Sequence, residues 1–189
     1  HFADVTRVEP AVGIEHRSGH FGFLVVAHHH VGAFDEDLTI GGDARVNVDN
    51  GTAIGGGSRV SGANGTAIGA NTRISGAHSI AIGNFRNSTN AGVVVIGSGD
   101  TTATADNAVA IGANSLANGG SAVAIGLGQT ASGNGAVAIG DPNTATGTGA
   151  VAIGADNTAT GDGAVAIGDN NRASGAGSVA IGGSQAFNG

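Results

Sequence analysis

Gln129-Thr130-Ala131-Ser132-Gly133-Asn134-Gly135-Ala136-Val137-Ala138-Ile139-Gly140-Asp141 decides how this chain folds. It holds two short stretches of period two, separated by glycine-rich corners. In the second stretch Val137 and Ile139 share one face, and Ala136 and Ala138 take the other. In the first, Thr130 and Ser132 oppose Ala131 and Gly133. Branched residues at period two read as strand. A helix is disfavoured, because each recurring glycine costs about 1 kcal/mol relative to alanine.

The same phrase returns along the chain. Its isoleucines are Ile54, Ile68, Ile82, Ile96, Ile111, Ile125, Ile139, Ile153, Ile167 and Ile181, spaced by 14 residues except for one step of 15 from Ile96 to Ile111. A further copy lies upstream at Leu38-Thr39-Ile40-Gly41. A strict short period means a stack of near-identical units. Each unit divides into two strands and two tight corners, with glycine supplying positive φ. The predicted fold is all-β, a β-solenoid of fourteen-residue coils stacked about 4.8 Å apart.

Polarity predicts which side is inside. Thr130 and Ser132 belong in water, so Ala131 and Gly133 turn inward. The branched residues are expected to meet them as the coil core: Val109, Ile111, Val123, Ile125, Val137, Ile139, Val151, Ile153, Val165, Ile167, Val179 and Ile181. That leaves an outward row of alanines, Ala110, Ala124, Ala138, Ala152, Ala166 and Ala180, as the expected contact between chains of a trimer. A narrow roll with so thin a core is expected to associate.

Composition narrows the class. The chain has 189 residues, 37 of them glycine, and no Cys, Met, Trp or Tyr. Four of the six phenylalanines (Phe2, Phe21, Phe23, Phe34) precede the repeats. The missing methionine reads as a mature form or a fragment, and no apolar run reaches membrane length. A net charge of −7 argues against nucleic acid as the main partner.

Asn107-Ala108-Val109-Ala110-Ile111-Gly112-Ala113-Asn114-Ser115 resembles the N-S-V-A-I-G-x-x-S motif of the head domains of trimeric autotransporter adhesins of the YadA type. Ser178-Val179-Ala180-Ile181-Gly182 matches the centre of that motif in full. The period and the intervening A-x-G agree over residues 38–189. The resemblance implies a left-handed parallel β-roll, with three chains wound into one head that is exposed on the outer membrane of Gram-negative cells. It implies attachment to an extracellular matrix protein, a host-cell receptor or a surface glycan. It also implies that the membrane is reached only through an anchor absent from this sequence. In some members the motif is associated with collagen binding. Here three copies have Gly-Ala where the motif has Asn-Ser, at Gly135-Ala136, Gly149-Ala150 and Gly163-Ala164. The chain stops inside a coil at Phe187-Asn188-Gly189, which reads as a head fragment.

Several features are candidates for function. Arg45, Arg59 and Arg73 share one slot in consecutive coils and would form a cationic ladder, with Arg172 in the same slot later. Such a ladder suits an acidic receptor or sulfated glycan, or it simply discourages lateral sheet pairing. With Asn107 and Ser115 of the motif, these arginines make up the candidate ligand face. In later coils the slot carries threonine (Thr102-Ala103-Thr104, Thr130-Ala131-Ser132, Thr144-Ala145-Thr146, Thr158-Ala159-Thr160). That pattern fits an ice-binding face or an ordinary outward strand position. His16, His20 and His28–His30 could bind a metal, but nothing completes a site, so neither metal nor cofactor is expected. Without lysine no P-loop is possible, and no catalytic constellation stands out. No enzyme is expected.

Residues 1–37 read as a lead or capping segment, either degenerate coils around the strand-like Phe21–Ala27 or an unrelated lead, and residues 38–189 as the head repeats. The first functional reading is a homotrimeric, non-catalytic adhesin head. The alternatives are a structural segment of a phage tail fibre or spike, and an ice-binding solenoid.

Overall fold

A computed structural model describes residues 37–84 and 87–183. Residues 1–36 of the segment read as a lead or cap, among them the histidines at positions 16, 20 and 28–30, and the chain end at 187–189 lie outside these residues.

The coils stack as the period predicts. An eleven-stranded parallel sheet runs from Leu38–Ile40 to Val179–Gly182, each strand hydrogen-bonded to its counterpart one coil away. Its register is the repeat itself: Val137 pairs with Val151, Ala138 with Ala152 and Ile139 with Ile153. Short two-residue strands form the opposite wall in two sheets. One has four strands, from Arg45–Val46 to Asn87–Ser88, and the other has six, from Thr102–Ala103 to Arg172–Ala173. The result is a parallel β-solenoid. The single long step is accommodated at one corner. Gly97 pairs with Gly112, 15 residues on, but Thr102 pairs with Leu116, 14 residues on, so the extra residue lies between them. The short-strand wall is interrupted at the same coil.

Two corner positions explain most of the repeat's grammar. The glycine after each isoleucine takes a φ that side chains rarely adopt, 126° at Gly140. A Cβ there would also stand 1.9 Å from the carbonyl oxygen of Gly154 in the next coil. Only glycine fits. The residue two before each Val-Ala-Ile segment is left-handed too, with φ between 55 and 66° at Asn50, Asn64, His78, Gly92, Asn107, Ser121, Gly135 and Gly149. Asparagine and glycine are the residues that tolerate this conformation best. The Asn-to-Gly departures from the motif are therefore conformationally equivalent.

The interior corrects one sequence expectation. Ala110, Ala124, Ala138, Ala152 and Ala166 are 0% exposed and lie inside the coil, with Ala180 partly buried at the last strand. They pack against Ala117, Ala131, Ala145 and Ala159 of the other wall, and against Ala108, Ala122, Ala136, Ala150 and Ala164. Val109, Ile111, Val123, Ile125, Val137, Ile139, Val151, Ile153, Val165 and Ile167 are only half-buried on the outer side of the long sheet, and Val179 and Ile181 are exposed. The expected core and the expected outward row are thus exchanged. The physical reason is width. Fourteen residues close a roll whose walls leave room for methyl groups at most of the facing positions, so two branched side chains per coil cannot enter. The inward placement of Ala131 holds.

The remaining inward slot is polar, and its hydrogen bonds are internal. Ser115 Oγ donates to the Gly126 carbonyl at 2.8 Å. Farther on, Asn143 Nδ2 donates to the carbonyls of Ile139 and Gly154, and Asn157 Nδ2 to those of Ile153 and Gly168. Each Asn Oδ1 accepts the next asparagine's backbone N–H, as Asn143 Oδ1 does from Asn157 at 2.9 Å. The corner carbonyls that glycine turns inward are satisfied by this ladder, as buried polar groups must be.

Candidate functional surface

Two outward faces lie on opposite sides of the thin core, and they differ in chemistry. The long sheet presents Val and Ile in two unbroken columns over its later strands. An isoleucine column continues through Ile40, Ile54, Ile68, Ile82 and Ile96. At about 4.8 Å per strand, eleven strands give an apolar strip on the order of 50 Å long. No charged residue falls in either column within the strands. Soluble monomers rarely leave so continuous an apolar strip uncovered.

The short-strand wall is polar. Arg45, Arg59 and Arg73 stand in direct register on adjacent strands, all exposed. The neighbouring column on that face carries Asn47, Ser61 and Ser75, also exposed. In the later coils Thr130, Thr144 and Thr158 are in register, with Leu116 before them and Arg172 after. The regular hydroxyl column thus spans three consecutive coils.

The other two candidate ligand residues fare differently. Asn107 is exposed at its left-handed corner. Ser115 is 0% exposed and occupies the inward polar slot, so it cannot face a ligand. Its position eight residues beyond Asn107 places it across the corner, on the opposite wall. The inward asparagines Asn143, Asn157 and Asn171 escaped the sequence reading. Their signal was present: a polar residue recurs immediately before each Thr-Ala or Arg-Ala pair.

Among the described residues there is no group of three or more His, Cys, Asp or Glu that could hold a metal ion. No helix among them is long and apolar enough to cross a membrane.

A parallel solenoid of fourteen-residue coils with two contrasting repetitive faces defines a repeat scaffold with extended surfaces. A family model of the YadA head domain repeat matches residues 40–72, 103–128, 131–157 and 159–184, together more than half of the chain. The chain belongs to the YadA head family. The unmatched stretch between residues 72 and 103 contains the corner with the extra residue. No curated protein matches the chain. Membership points to an adhesin-like, typically non-enzymatic role in surface-exposed autotransporter adhesins.

Proposed function

We propose that this chain is the head of a homotrimeric surface adhesin, exposed outside the outer membrane. It attaches without catalysis to matrix proteins, cell receptors or surface glycans. The observation that supports this most is the contrast between the two faces. The Val/Ile columns of the long sheet are suited to meeting the same columns of two other copies. The polar short-strand walls then face outward, three times over. Small contacts repeated along each coil and across three chains raise avidity without a deep pocket. Val123, Ile125, Val137, Ile139, Val151 and Ile153 are the interface residues of this proposal, and the alanines are interior.

Sedimentation equilibrium tests the assembly. The unmodified chain is expected to be trimeric, and Ile139→Glu with Ile153→Glu is expected to dissociate it to monomers. Thr144→Glu on the opposite wall should leave it intact. A folded monomer of the unmodified chain at micromolar concentration would overturn the trimer. Binding of the trimer to matrix-coated and cell surfaces tests the role: a trimer that adheres to none of them would make it a rigid spacer instead.

A further inference from the structure

The arginine ladder carries an inference about what the head binds, and it rests on the adhesive reading above. Arg45, Arg59 and Arg73 pair directly across parallel strands. Their Cα atoms therefore recur at about 4.8 Å, and the first and third are on the order of 10 Å apart. Like charges placed directly opposite one another oppose sheet formation. Nothing about the coil requires them, because Thr130, Thr144 and Thr158 fill the same slot in register elsewhere. The alternate outward positions are Asn47, Ser61 and Ser75, and the exposed carboxylates Asp43 and Asp49 fall at the corners of the first coil only. The chain as a whole is acidic at −7, yet no Asp or Glu occurs between residues 50 and 99, so Arg59 and Arg73 are left for a mobile counter-ion or an external anion to neutralise.

The shape of the patch selects among anions. It is one residue wide, straight along the solenoid axis and flat. It is flanked by amide and hydroxyl groups, with no aromatic or aliphatic side chain at its outward positions. A protein partner needs apolar or aromatic anchors at its hot spots, and none is offered. A membrane surface needs an apolar face to bury, which is missing too. Single-stranded nucleic acid needs stacking platforms, and no aromatic residue stands there. A linear sulfated polysaccharide needs none of these. It presents anionic groups at intervals along an extended chain, with hydroxyls between them, and planar guanidinium groups pair with such oxyanions in bidentate fashion. We propose that the ladder Arg45–Arg59–Arg73 is a docking site for a linear sulfated glycan, lying parallel to the solenoid axis and hydrogen-bonded laterally by Asn47, Ser61 and Ser75.

The test is calorimetric titration of the assembled head with a size-defined heparin oligosaccharide, with its fully desulfated counterpart and with single-stranded DNA of matched charge. The sulfated probe should bind, and its affinity should fall steeply with salt. The triple variant R45Q/R59Q/R73Q should lose at least tenfold in affinity and most of the salt dependence. R45K/R59K/R73K should keep part of the binding, and R172Q all of it. Circular dichroism and sedimentation establish that the variants remain folded and assembled. Equal binding of the desulfated probe or of DNA, or undiminished binding by the triple glutamine variant, would overturn the proposal. If heparin fails to bind while the head still adheres to matrix or cells, this inference fails alone; if the head adheres to nothing but heparin binds the ladder, the adhesive reading fails instead.

Discussion

The coils before residue 90 and those after residue 107 close the same roll with different fillings. In the early coils the position before the Thr-Ala-Ile strand is Gly51 or Gly65, and the facing wall carries the large residues Val60 and Ile74. In the later coils both places are alanine, as in Ala136 and Ala150 with Ala145 and Ala159. The exchange is steric: a Cβ on Gly65 would lie 2.9 Å from both Val60 Cγ1 and Ile74 Cγ2. The inward polar slot changes in step. Ser58 and Thr72 use a single hydroxyl to reach corner carbonyls, whereas Asn143 and Asn157 also bond to each other. Outside, arginine gives way to threonine on one face, and Thr52 and Thr66 give way to valine on the other.

The constant of this fold is thus the volume enclosed by one coil, not any single side chain. Where the two fillings meet, the molecule is irregular. The hydrophobic interior divides into two clusters, ending at Ala81 and resuming at Val93. Ser88 lies buried there with no hydrogen-bond partner for its hydroxyl among the described residues. The extra residue and the break in the short-strand wall fall in the next coil. A parallel stack transmits register only through contact between neighbours, so one junction suffices to separate two packing regimes.

The comparison can be pressed at three depths. The largest effect is expected where the halves do not differ. Gly69→Ala and Gly140→Ala should each destabilise by more than about 4 kcal/mol in denaturant unfolding. Both glycines have φ near 130°, and their added Cβ atoms would meet Gly83 O and Gly154 O at 2.0 and 1.9 Å. Markedly unequal costs would mean that the corners, too, are region-specific. An intermediate effect is expected from forcing the later filling onto an early coil. Gly65→Ala should cost about 1–3 kcal/mol through overpacking. Adding Val60→Ala and Ile74→Ala should recover part of that loss, and no recovery would show that the two fillings are not interchangeable. The smallest effect is at the left-handed corner. Gly149→Asn should change stability by no more than about 0.5 kcal/mol, since φ is 65° and the space around an added Cβ is open. A thermal shift of many degrees would refute the equivalence of Asn and Gly there.

Much of this architecture was legible in the residues. Period-two alternation identified the strands, and the interval between isoleucines set the register at which Val137 meets Val151. The polar pair Thr130 and Ser132 identified the outer side of the short wall. On the long wall hydrophobic size and coil width point in opposite directions, and width decides burial. Val137 and Ile139 are more hydrophobic than Ala136 and Ala138, yet the smaller pair is inside. The ligand reading of Ser115 failed for a related reason. A small hydroxyl looks equally at home in water and beneath a corner carbonyl, and only the location of Gly126 O decides between them.

Order along the chain therefore determined the coil, its length, its corners and its parallel stacking, because these depend on backbone φ preferences and on repetition, which are local. Which of two apolar faces is enclosed was settled only when the walls came together. The gap between two sheets joined by such short corners is a global distance that no single repeat encodes. It admits alanine along most of the molecule and allows a larger residue only where glycine stands opposite.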